Sequence, residues 1–104
     1  MHTRNNTMSD FTPQEYYIEF RNKLNWYATQ MSNALNAVEA GRQHKEALQI
    51  KVNRAKRENQ PVQEEWLKGI AGAEWCMEIM QEHHNDMVKQ LDKYTREALS
   101  DFLY

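Results

Sequence analysis

Val52-Asn53-Arg54-Ala55-Lys56-Arg57-Glu58-Asn59-Gln60-Pro61-Val62-Gln63-Glu64-Glu65-Trp66 is the stretch that decides how this chain folds. Proline disfavours helix at the residue before it, so the chain should turn at Asn59-Gln60-Pro61. Upstream of that break, Tyr17, Phe20, Leu24, Tyr27, Met31, Ala34, Val38, Gly41, Lys45, Leu48, Val52 and Ala55 follow one another in alternating steps of three and four. Downstream, Gln63, Trp66, Ile70, Ala73, Met77, Met80, His84, Met87, Leu91, Tyr94 and Ala98 do the same. This spacing lays a narrow seam along one side of a helix. Two such series around one break predict an all-α fold: a long, coiled-coil-like antiparallel helical hairpin.

The boundaries follow from the ends of the two series. Residues 1–11 read as a disordered leader, with Met8 as a second possible start, and 12–104 as a single hairpin domain. Thr12 can cap the first helix, Pro13 suits its first turn and Glu15 completes a capping box. Helix one is expected over about 13–58, ending on Lys56 and Arg57, whose charge suits a helix C-terminus. The turn is expected at 59–61, and helix two over about 62–102, opening at Pro61 with Glu64 and Glu65 in its first turn. At about 1.5 Å per residue both helices should be on the order of 60–70 Å long.

With the turn near Gln60, Gly41 and Ala34 should face Met80 and Met87, small against large, and Val52 should meet Ile70 and Trp66. Lys45 falls on the seam with Glu74 and Glu78 in reach. A break at Ala40-Gly41-Arg42 would give three helices instead of two, but the heptad phase passes through Gly41 unchanged, which favours one continuous helix.

Composition limits what the chain can be. In 104 residues, 40% apolar and 27% charged, there is room for one globular domain. Three glycines and two prolines argue against a turn-rich sheet. The net charge of −2 gives no overall attraction to nucleic acid or acidic lipid. No apolar run approaches the roughly 20 residues of a membrane span, and Met1–Asp10 lacks the apolar core of a signal peptide. One cysteine permits no internal disulfide, so a reducing cytoplasm is the expected setting.

A two-helix seam cannot hold all the large apolar residues present. Trp26, Ile50, Trp75, Ile79, Ile18 and Leu35 fall off it. Each would gain about 1.5–3 kcal/mol on burial, so a second hairpin is expected to cover them in a dimeric or higher bundle.

His83, His84 and Cys76 invite a metal reading that helix geometry opposes. Adjacent residues point about 100° apart, and two turns separate Cys76 from His83 by roughly 10 Å. The Glu-x-x-His pattern of carboxylate di-iron bundles is absent. No metal or cofactor is expected; His84 should be a buried polar group that fixes register, and Cys76 a small buried thiol beside the seam. Glu74, Glu78, Glu82 and Asp86 form an acidic stripe, read as a solvated face partly neutralised by Lys45, with a basic partner as the functional alternative.

The sharpest charge feature is the segment 42–57, with Arg42, Lys45, Lys51, Arg54, Lys56 and Arg57 against Glu46 alone. It is the candidate nucleic-acid site, with Arg42, Lys51, Arg54, Lys56 and Arg57 as contacts. Glu64, Glu65, Glu74 and Glu78 on the facing stretch should offset much of its field. The protein-binding candidates are Trp75, Ile79, Glu82 and Trp26.

Trp66-Leu67-Lys68-Gly69 faintly resembles the Trp-x-Gly turn of the WXG100 family. It has one residue too many, lies within helix two and lacks the C-terminal Tyr-x-x-x-Asp/Glu signal, so no function carries over. A basic first helix, a turn and an amphipathic second helix also look broadly like phage recombination mediators that bind single-stranded DNA, in architecture alone.

The expected function is non-enzymatic: a protein–protein interaction module, acting as an adaptor, assembly factor or inhibitor. It should form a homo-oligomer, bind a further protein and stay off membranes. Small size, a polar leader and no catalytic motif suit a phage or mobile-element accessory protein. The alternative is a nucleic-acid-binding accessory factor in recombination or replication; a structural part of a larger assembly comes third.

Overall fold

The computed structural model describes residues 12–103, so the leader expected over 1–11 lies outside the described residues. Two helices make up 92% of the described chain: α1 over Pro13–Arg57 and α2 over Glu64–Leu103. No strand occurs among the described residues. The helices run antiparallel in contact along their length, giving a rod of 79 × 19 × 19 Å. Its radius of gyration, 22.8 Å, is nearly twice the value of about 12 Å for a compact chain of similar size.

Both ends of α1 are closed by local chemistry. The Thr12 Oγ1 accepts from the Glu15 backbone N–H, and the Glu15 carboxylate accepts from the Thr12 N–H, completing the capping box. At the other end Glu58 is the C-cap and Asn59 adopts a left-handed φ of 54°. The Gln60 N–H then donates back to the Ala55 carbonyl and the Asn59 N–H to the Lys56 carbonyl. A left-handed residue with these two back-bonds satisfies carbonyls that the helix end would leave orphaned.

Helix α2 opens at Glu64, not at Pro61 as expected. The reason is distance. Packed helices lie about 8–10 Å apart axis to axis, and a chain that has just left α1 needs a few residues at about 3.3 Å each to cross that gap. Pro61, Val62 and Gln63 make the crossing, and the first bond of the new helix runs from the Trp66 N–H to the Gln63 carbonyl. Gln63 is consequently exposed, so the second seam begins at Trp66.

Helix α1 is continuous through Gly41. A Cβ there would stand 2.6 Å from the Met77 Cγ, so the glycine makes room for α2 without interrupting α1. Gly69 does the same against Leu48, with 2.6 Å to its Cδ1. The side chain nearest to Gly41 is therefore that of Met77, one turn nearer the tip than Met80. Lys45 reaches across to Glu74 at 2.7 Å, as its place on the seam suggested.

The core is a single thin line. Its buried apolar residues are Tyr27, Ala34, Val52, Ala55, Ala73, Met87 and Ala98, more than half of them alanine, and among the described residues Val52 is the one large side chain that is fully enclosed. Phe20, Leu24, Met31, Val38, Leu48, Trp66, Ile70, Met77, Met80, Leu91 and Tyr94 are half-buried along it.

Tyr17 departs from the seam and is 58% exposed. Tyr16 takes its place, stacking on Phe20 at 6.5 Å and donating to the Ala98 carbonyl at 3.3 Å. An α-helix drifts about 20° per heptad against a strict 3.5 repeat; accumulated from mid-helix back to the N-terminus, that drift turns Tyr16 inward and Tyr17 out. Phe20 and Tyr27 both pack on Tyr94, at 5.8 and 6.1 Å, closing the open end of the hairpin with aromatic rings. Burial there raises the Tyr94 and Tyr16 phenols above their ordinary pKa.

Two smaller expectations are corrected. Cys76 is exposed, because it sits on the flank of α2, which a two-helix seam leaves uncovered. His84 is only half-buried, and its described hydrogen bond is to the adjacent Asn85 at 3.4 Å, so no bond from it to α1 fixes the register.

Candidate functional site

Two surfaces compete: an apolar one along the rod and a basic one at its tip. On the rod, Trp75 is 64% exposed, Glu82 is exposed and Ile79 is half-buried. Spaced four and seven residues apart, they share the outer face of α2. Trp26 is elsewhere. It lies on α1 beside Tyr27, which packs against Tyr94, and Tyr94 is about 19 residues beyond Trp75, on the order of 28 Å along the axis. Trp26 is also partly engaged already: its ring meets Tyr27 edge-on at 5.1 Å, and the Lys23 Nζ stands 5.8 Å from its centroid. The four residues thus divide into a Trp75–Ile79–Glu82 patch and a separate Trp26 patch.

Other large apolar side chains are exposed too: Ile18, Leu35 and Ile50 on α1, and Leu67, Val88 and Leu99 on α2. The off-seam residues identified from sequence are therefore outside the hairpin's own core, with Ile79 the most covered of them.

The basic segment separates into two parts that its sequence did not distinguish. The Arg42 guanidinium is held between Glu39 and Glu46 on its own helix, with 3.1 Å from Nε to the Glu39 carboxylate and 2.9 Å from a terminal nitrogen to Glu46. The hydrogen bond from Arg42 holds the Glu39 carboxyl below its ordinary pKa. Lys45 is taken by Glu74. Lys51, Arg54, Lys56 and Arg57, all exposed, have no ion pair among the described residues. Of the facing carboxylates, Glu74 alone pairs directly with the segment, while Glu64 is engaged by Lys68 at 3.5 Å.

Two of those cations, Lys51 and Arg54, line a groove that the periodicity did not reveal. It has a volume of about 590 Å³ and lies where α1 ends and α2 begins, with Lys51, Arg54 and Glu58 on one side and Pro61, Gln63 and Trp66 on the other. Its signal in the sequence is Pro61 followed five residues later by a seam tryptophan. The crossing segment holds the two helix ends apart at the tip, so the Trp66 indole is not fully covered.

Among the described residues, no three His, Cys, Asp or Glu side chains gather as a metal site would require, and no helix is long and apolar enough to cross a membrane. Comparison with protein families, with characterised proteins and with solved structures finds no significant match to this chain.

Proposed function

We propose that this chain is a non-enzymatic protein–protein interaction module that works as a self-associated helical bundle, in the manner of an adaptor, assembly factor or inhibitor. The observation that supports the reading is the imbalance between its core and its surface. Among the described residues seven are buried, mostly alanines, while Trp26, Ile50, Leu67, Trp75 and others stay in solvent. Each large side chain covered by a neighbour gains about 1.5–3 kcal/mol, comparable with what one core residue gives this seam. Buried aromatic anchors commonly carry a disproportionate share of interface energy. Trp75, with Ile79 and Glu82 one and two turns further along α2, is the anchor assigned here, and Trp26 marks a second contact area.

The test is substitution on the exposed face. Because Trp75 is exposed, Trp75→Glu should leave the helical circular dichroism intact while weakening self-association by light scattering at micromolar concentration. Association unchanged in both Trp75→Glu and Trp26→Glu would remove this surface from the proposal.

A further inference from the structure

We propose that the groove at the hairpin tip binds single-stranded nucleic acid, with one base against the Trp66 indole and the neighbouring phosphates on Lys51 and Arg54. The groove, about 590 Å³, is within the range of small-ligand sites. It combines an apolar wall, made by Ala55, Pro61 and Trp66, with two cations that have no ion pair among the described residues.

The ordinary explanation for basic residues here is the C-terminal dipole of α1. It accounts for less than the whole cluster. The carbonyls of Arg54, Ala55 and Lys56 already accept from the backbone N–H groups of Glu58, Gln60 and Asn59, and Lys51 lies before the last turn. The positive end of the α2 dipole points to the same tip. Glu58, Glu64 and Glu65 oppose the cations, with Glu64 engaged by Lys68.

The arrangement favours a flexible strand over other polyanions. Lys51, Arg54 and Arg57 follow one another at steps of three and span about 120° on one side of α1, while Lys56 falls on the opposite side, so the four cations are not all within reach of one straight ligand. A duplex, stiff over about 150 base pairs, reaches one side of such a tip, whereas a single strand can wrap it. An acidic peptide would use the cations but has nothing to set against the indole, where a base can stack.

The experiment is fluorescence anisotropy of the full chain with labelled 16-mer oligothymidylate, beside a duplex of equal length and a polyglutamate peptide. Saturable micromolar binding of the oligothymidylate is expected, weakening roughly tenfold or more between 50 and 200 mM salt as counterions are released. Arg54→Glu with Lys51→Glu should abolish it with helicity retained, and Glu58→Gln should tighten it. In a Trp26→Phe/Trp75→Phe chain, Trp66 is the one tryptophan left, and its emission should be quenched on saturation. Absence of saturable binding at 50 mM salt, indifference to the charge reversals, or unchanged Trp66 emission would overturn the proposal. Equal or tighter binding of polyglutamate would reassign the groove to acidic peptides, and of the duplex, to double-stranded DNA. Light scattering on the same samples reads self-association separately, so either proposal can fail without the other.

Discussion

Gly72 and Gly41 lie on neighbouring turns of the two facing helices, yet replacing them should have opposite consequences. Nothing stands within 4 Å of a Cβ at Gly72, so Gly72→Ala should collect the helix-propensity difference of about 0.8–1 kcal/mol. In a domain of this size that is a rise of roughly 4–8 °C in Tm. At Gly41 the new Cβ would meet the Met77 Cγ at 2.6 Å, an atom near the backbone that cannot swing aside cheaply. Gly41→Ala should therefore lower Tm despite the same gain in propensity, as thermal unfolding followed by circular dichroism would show. Tyr94 gives a pH effect of definite sign. Burial raises its phenol above the ordinary 10.0, with Tyr16, Glu19 and Tyr27 adding in the same direction. The folded state thus prefers the neutral phenol. Its contribution is fully present below pH 10 and is lost as pH rises through the higher folded value. Urea unfolding at pH 9 and pH 11 should show that loss, reduced in Tyr94→Phe.

The turn between α1 and α2 depends on Asn59, whose φ of 54° costs most residues about 1–2 kcal/mol and asparagine and glycine less. Asn59→Ala should destabilise the hairpin by roughly 1 kcal/mol and Asn59→Gly should not; chemical denaturation measures both. The Lys45–Glu74 bridge, with both partners substantially exposed, should couple by less than about 1 kcal/mol in a double-mutant cycle. At this scale the sequence was legible where chemistry is local. Thr12, Pro13 and Glu15 announced the start of α1, and alternating steps of three and four marked almost every inward residue. It was less legible where two elements set the outcome jointly. The start of α2 depends on the gap between helix axes, which no residue near Pro61 encodes alone. Tyr16 displaces Tyr17 because a heptad template ignores helix drift. Cys76 and His84 read as covered because periodicity gives a side chain's direction but not whether anything lies beyond it. Of the candidate sites, Trp75 and Trp26 could be named as off-seam residues, and the basic run was plain. The division of that run into paired Arg42 and Lys45 and four tip cations with no ion pair among the described residues depends on which carboxylates lie within reach in three dimensions.

The described residues form a long rod with one narrow seam, seven buried side chains and tryptophans at two well-separated places on its surface. A rod of this kind has nearly all of its surface available to others, and its own core leaves apolar area to be covered. Self-association would cover that area, and the mass of the protein in solution reports on it. Multi-angle light scattering or sedimentation equilibrium at tens of micromolar should give about 25 kDa or more, at least twice the 12.5 kDa of one chain, and dilution or Trp75→Glu should shift the population toward the single chain. A mass of 12.5 kDa across that range, unaltered by Trp75→Glu, would contradict it.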